Sequence, residues 1–212
     1  MKTNIAYRED VLNNTTPAYR KWFADEKEYI ENTITPNAKV LEIGCGTGRT
    51  IFDILSLTQD IVGIDHDPKV VQEAAANLAA YPSVKIIQAD AIDLPFDNEC
   101  FDLVLCMWSF VNFGDKRSTI LEEMKRVLKP WGKIIISAFS ETALEERMKV
   151  YESIHIKIKK IEDWIVYFDD VIDDNISEQF TREQLEEIFT SADLDIKDIS
   201  KKDIAYLCTL QK

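Results

Sequence analysis

Three glycines at alternate positions, Gly44, Gly46 and Gly48, stand between a short apolar run and a stretch with helical spacing. Such a loop turns sharply and lets a ligand lie against main-chain N–H groups with no Cβ in the way. The helix that follows aims its partly positive N-terminus at the same place. Glu42 puts a carboxylate beside these glycines. A pyrophosphate would be repelled there, whereas an ammonium or sulfonium would be attracted. The spacing is also GxGxG, not the GxGxxG of dinucleotide folds. Both features favour a cationic or zwitterionic ligand over NAD. Asp65 comes 17 residues after Gly48 (65 − 48). An acidic group roughly 20 positions on, at the tip of the adjacent strand, can accept hydrogen bonds from both hydroxyls of a ribose. Asp90 closes a third apolar run and is a candidate acceptor for an exocyclic amine such as that of adenine; Asp67 suits the cap of the next helix instead.

Alternating strands and helices must position these groups. Residues 39–43, 61–64, 84–89, 101–106 and 133–138 are short, apolar and rich in β-branched side chains, as expected of strands covered on both faces. Residues 48–57, 67–78 and 115–128 carry helical spacing between them. That order predicts a mostly parallel sheet with right-handed crossovers and helices on both sides. The glycine loop then lies at a carboxyl edge of the sheet, where such folds bind ligands. A leading helix over 18–32 is expected, with Tyr19, Trp22, Phe23, Glu26 and Ile30 along one side. Residues 129–132 read as a turn, 141–160 as a helix, 164–168 as a strand, and 181–190 as a helix with a Thr181–Gln184 capping box. Residues 194–199 and 204–210 read as a closing antiparallel hairpin at the sheet edge.

Taken in order, residues 40–48, 63–65, 88–90, Leu94-Pro95-Phe96, 101–104 and 128–133 resemble the signature of class I S-adenosylmethionine-dependent methyltransferases, in their small, ubiquinone/menaquinone-type subgroup. The resemblance implies a Rossmann-like α/β fold with a seven-stranded sheet of order 3-2-1-4-5-7-6, strand 7 antiparallel. It implies one domain over 1–212: an N-terminal helical lid over 1–36, a cofactor-binding core over 38–139, and an acceptor-side segment with the closing hairpin over 140–212. It further implies that Glu42, Gly44, Cys45, Gly46 and Gly48 surround the methionine part of S-adenosyl-L-methionine. Asp65 and the adjoining His66 would serve the ribose, Asp90 and Ala91 the adenine, and Cys106 and Met107 would flank the sulfonium. Family members often carry a histidine after strand 4. Here that stretch is 108–113, with no histidine, so no catalytic base is assigned.

The aromatic residues Tyr19, Trp22, Trp108, Phe110 and Phe113 are candidate walls for the acceptor, and Trp164 is a further one. Core packing is the competing role, evenly balanced for Tyr19 and Trp22. Tyr7 is one more aromatic of the leading segment. His66 and His155 are weighed as bases and read instead as cofactor-lining or solvent-facing and as a surface residue on a helix. Methyl transfer from a sulfonium needs mainly alignment in a dry pocket, and needs a base only for a protonated acceptor.

A net charge of −13 over 212 residues sets the protein against nucleic acid, which is bound by neutralising phosphates. Lys157, Lys159 and Lys160 read as a solvated helix face. Cys45, Cys100, Cys106 and Cys208 show no metal-ligand or CxxC spacing. No run is long and apolar enough for a membrane span or a secretory signal. The expected setting is cytoplasmic and the expected state monomer or homodimer. The expected partner is a small-molecule acceptor, with no nucleic acid, membrane or metal. A methyltransferase for protein or RNA and a non-catalytic S-adenosylmethionine-binding protein are the alternatives carried forward.

Overall fold

The computed structural model describes residues 13–169 and 176–212; Tyr7 and the rest of the first twelve residues lie outside the described residues. Helix α1 (Pro17–Thr33) starts where Thr16 accepts the Tyr19 N–H and proline takes the first turn, a position that needs no N–H donor. Tyr19, Trp22, Glu26 and Ile30 recur at spacings of three and four, so one stripe of α1 is buried.

The strands β1 (Val40–Ile43), β2 (Ile61–Asp65), β3 (Lys85–Gln88), β4 (Phe101–Met107) and β5 (Leu128–Phe139) alternate with α2 (Arg49–Ile54), α3 (Pro68–Asn77) and α4 (Arg117–Val127). Every residue of β1 and β2 is buried, which explains their apolar character apart from Glu42 and Asp65. After β5 come α5 (Leu144–Ser153), β6 (Ile158–Glu162), β7 (Ile165–Phe168), β8 (Ile176–Ser177), α6 (Arg182–Ser191), β9 (Asp195–Lys202) and β10 (Ala205–Gln211). The main sheet runs β3-β2-β1-β4-β5-β10-β9. Counting only its own strands, β9 is the sixth and β10 the seventh, so the expected 3-2-1-4-5-7-6 order holds. Strand β10 is antiparallel to both β5 and β9. The capping box at Thr181 and Gln184 forms as the sequence suggested.

Three local expectations are corrected. The helix expected over 141–160 stops at Ser153. Ile154, Ile156 and Ile158 alternate with polar residues, a period of two that suits a strand. His155 therefore stands beyond the helix in the left-handed region (φ 59°). Lys157, Lys159 and Lys160 belong to the approach and body of β6, not to a helix face. Strands β6, β7 and β8 make a separate small sheet. Asp163 and Trp164 both take positive φ, the geometry of a tight hairpin turn, so Trp164 lies in the turn before β7. Residues 129–132 lie within β5 as an irregularity: Phe101 pairs with Leu128 and Leu103 with Lys133, so four residues stand opposite Asp102. Trp131 is left 68 % exposed there.

The glycine loop is seated by close packing beneath it. A Cβ on Gly63 of β2 would lie 2.8 Å from Ile51 Cδ1 and 3.0 Å from Cys45 Sγ. Gly63→Ala should therefore destabilise the fold by about 1–3 kcal/mol through overpacking. The urea midpoint reads this, and an unchanged midpoint would contradict the packing described.

Candidate functional site

A cleft opens at the carboxyl ends of β1 and β4. The loop Gly44–Thr47 with Arg49 and Thr50 makes one wall, Met107, Trp108, Ser109 and Asn112 make the other, and Glu42 lies between them. The space is about 640 Å³, solvent at the mouth included.

Backbone geometry explains the glycines. Gly44 has φ +66°, and a Cβ there would sit 2.1 Å from Ser109 Oγ. The Ser109 hydroxyl instead donates to the Gly44 carbonyl at 3.1 Å, tying the two walls together. Gly48, at φ +97°, begins α2, with Leu78 where a side chain would otherwise project. Trp108 holds φ 73° without being glycine. Strain of this kind, of order 1–3 kcal/mol, collects at functional sites.

Asp65, buried at the tip of β2, accepts the Gly46 N–H at 3.1 Å and the Asp67 N–H at 3.2 Å. It therefore braces the glycine loop. His66 Nδ1 lies 3.6 Å from Asp65 Oδ1, with the ring half exposed. Gln88 at the tip of β3 donates to the His66 carbonyl at 3.2 Å. Asp90 is exposed and accepts the Ile92 N–H at 3.2 Å, and Ala91 packs half-buried against the core.

Charge is concentrated behind the loop. Arg49 donates to Glu26 of α1 at 2.6 Å. The other Glu26 oxygen accepts from the Ser137 hydroxyl, which itself accepts the Trp22 indole N–H at 2.9 Å. Phe23 lies under the Arg49 guanidinium at 4.4 Å. Burial pushes the Glu42 carboxyl up to about 8, with Glu26 and Asp65 adding to the rise and Thr50 and Arg49 opposing it. Its Oε2 is buried and, among the described residues, has no hydrogen-bond partner. Burial also raises the Cys106 thiol, so it is an inert neighbour rather than a nucleophile.

Of the residues expected around a cofactor, Glu42, Gly44, Cys45, Gly46 and Met107 line the cleft. Gly48 shapes the loop's exit, Cys106 is buried within β4, and Asp65, His66, Asp90 and Ala91 stand at the neighbouring strand tips. Of the aromatics expected around an acceptor, only Trp108 reaches this cleft. Tyr19 and Trp22 are fully buried and meet its ring at 6.2 and 5.9 Å. Helix α1 is thus packed into the core in this structure. Phe110 is buried against Phe180 and Phe189, with Phe113 on its edge. Thr47, Arg49, Thr50, Ser109 and Asn112 also line the cleft and were not anticipated. Arg49 and Thr50 directly follow the glycines, and Ser109 and Asn112 sit inside the stretch read only for its aromatics.

A family model described as a methyltransferase domain matches residues 41–136. That match, the sheet order and the sequence of strand-tip motifs make the chain similar to the class I S-adenosylmethionine-dependent methyltransferases, whose fold it has. Among curated relatives, demethylmenaquinone methyltransferase of Staphylococcus aureus is 27 % identical over 151 residues, 70 % of this chain. The match spans 62 % of that relative's length. A solved structure from Pyrococcus horikoshii superposes with a TM-score of 0.73 at 23 % identity, covering 93 % of this chain and 94 % of that one. The Burkholderia thailandensis 1,6-didemethyltoxoflavin-N1-methyltransferase, solved with 1,6-didemethyltoxoflavin and S-adenosylhomocysteine, superposes with a TM-score of 0.68 at 20 % identity, covering 96 % of this chain and 81 % of that one.

The raised Glu42 carboxyl has a consequence for stability. Between its usual pKa of 4.5 and about 8, the unfolded chain releases this proton while the folded one keeps it. Stability must fall as pH rises through that window, by up to about 5 kcal/mol, and flatten above it. Glu42→Gln should therefore be more stable than the parent at pH 8 and converge with it toward pH 4.5. Urea titrations across this range check it; parallel pH profiles would contradict the assignment.

Proposed function

We propose that this protein is an enzyme that transfers the methyl group of S-adenosylmethionine to a small organic acceptor. The observation that carries this is the buried Glu42 carboxylate oxygen left without a partner beside a glycine cradle. A buried acceptor of hydrogen bonds is costly unless something satisfies it. A ligand with an ammonium group and a sulfonium supplies that partner, and the dianionic pyrophosphate of a dinucleotide does not. The loop glycines and Met107 suit the methionine end. Asp65, at the tip of β2, suits the ribose hydroxyls. Asp90 and Ala91 suit the adenine. When bound, this cofactor supplies an electrophilic methyl on a sulfonium with a neutral leaving group.

The chain's own contribution is alignment and exclusion of water. Met107, Trp108 and the Ser109–Gly44 clasp set the wall past which an acceptor must approach. Neither His66 nor His155 lines the cleft, which suits an acceptor that is already nucleophilic. A small acceptor fits the charge of −13, unfavourable for nucleic acid. Trp108 in the cleft wall suits a flat ring, in keeping with the acceptors named for the demethylmenaquinone and didemethyltoxoflavin methyltransferases.

Calorimetry with S-adenosylmethionine, S-adenosylhomocysteine and NAD tests the reading, with NAD expected not to bind. Asp65→Ala should weaken cofactor affinity by about tenfold or more. Because a cation favours ionised Glu42, binding near pH 7 should release up to about one proton, measured as a buffer-dependent heat. Glu42→Gln should abolish that release. Unchanged affinity in Asp65→Ala, or equal binding of NAD, would reject the proposal. Labelled cofactor incubated with cell extract then separates small-molecule, protein and RNA acceptors.

A further inference from the structure

A second pocket lies among the start of α4, the turn before β7 and helix α6. Its space is about 530 Å³, solvent at the mouth included. Small-molecule sites span roughly 300–1,000 Å³. Among the described residues it shares no lining residue with the cofactor cleft. The short 3-10 segment Ser109–Asn112 connects the two. Ser109 and Asn112 line the cleft, whereas Phe110 packs at 5.5 Å on Phe180, which lines the second pocket.

Arg117 lines this pocket with donors to spare. Its guanidinium lies over the Phe110 and Phe180 rings at 5.2 and 5.0 Å, and its side chain retains 16 % exposure. Among the described residues only Nη2 has a hydrogen-bond partner, the Glu178 carboxylate. Nε is buried with none. A buried donor left unmade is costly, so this is a place where a ligand oxygen would be stabilising. Two further carboxylates of the lining, Asp163 and Glu187, are exposed and have no ion-pair or hydrogen-bond partner among the described side chains. Glu178 balances Arg117, so these two acids are left without a counter-charge. Ile165, Phe180 and Ile188 add apolar surface.

We propose that this pocket is a second ligand site, separate from the cofactor cleft, and that it binds a free amino acid with an apolar side chain. The ligand's carboxylate accepts from the uncommitted N–H groups of Arg117, whose planar fork Glu178 and the two phenylalanine rings hold in place. Its ammonium donates to Asp163 and Glu187. Its side chain lies against Ile165, Phe180 and Ile188. A simple anion would meet three carboxylates here, and a simple cation would leave the Arg117 donors unmade. A zwitterion answers both needs. The site does not depend on the methyltransferase reading, because the residues that define it take no part in the cleft.

Calorimetry on the full chain with L-leucine and L-phenylalanine tests the site, against L-leucinamide, which lacks the carboxylate, and N-acetyl-L-leucine, which lacks the ammonium. The two amino acids should bind, and each derivative should bind about tenfold more weakly or worse. Asp163→Asn and Glu187→Gln alter exposed side chains, and asparagine tolerates the positive φ of 47° at position 163, so the double variant keeps the fold. It should lose about tenfold or more in leucine affinity. Arg117→Lys removes the fork and should do the same, with circular dichroism checking that it folds. Leucine should still bind when S-adenosylhomocysteine is saturating. No binding of either amino acid, equal binding of either derivative, or full leucine affinity in the double variant overturns the proposal. So does mutual exclusion with S-adenosylhomocysteine, which would put the amino acid in the cofactor cleft instead.

Discussion

A carboxylate removed from water at the end of a central strand is the constraint on which this structure depends. Glu42 lies in β1, flanked by β2 and β4, where strands are covered on both faces. Neutralising it fully from within would leave no reason to attract a cation. Leaving it bare would cost more than a marginally stable fold can carry. The observed arrangement lies between these limits: Arg49 is close enough to moderate Glu42 but donates its short hydrogen bond to Glu26. The buried carboxyl stays protonated over much of the neutral range, which lowers the cost of burying it.

The division of Arg49 between two acids gives helix α1 its role. Glu26, Trp22 and Ser137 form one chain of hydrogen bonds from α1 to β5, and Phe23 stacks on Arg49. The leading helix therefore contributes to the electrostatics of the glycine loop as well as covering apolar surface. A helix that merely closed over a ligand would have no need to place a buried acid behind the loop. The clasp between Ser109 and Gly44 acts from the opposite side and sets the width of the cleft.

Much of this was legible in the residues themselves. Strand and helix alternation follows from local hydrophobic spacing, and the glycine loop, Glu42 and Asp65 announce themselves because they interrupt apolar runs at strand ends. The Thr181–Gln184 capping box is likewise a local signal. Residues 154–162 misled because helical and strand periods overlap over so short an isoleucine-rich stretch, and pairing with β7 decided the outcome. Only the tertiary structure could show that Arg49 reaches Glu26, that Ser109 meets Gly44, and that Tyr19 and Trp22 are interior. Whether a charge is buried and what it faces depend on residues tens to more than a hundred positions away. Chain-local chemistry set the fold and the kind of cofactor cradle; long-range packing set the charges that stand behind it.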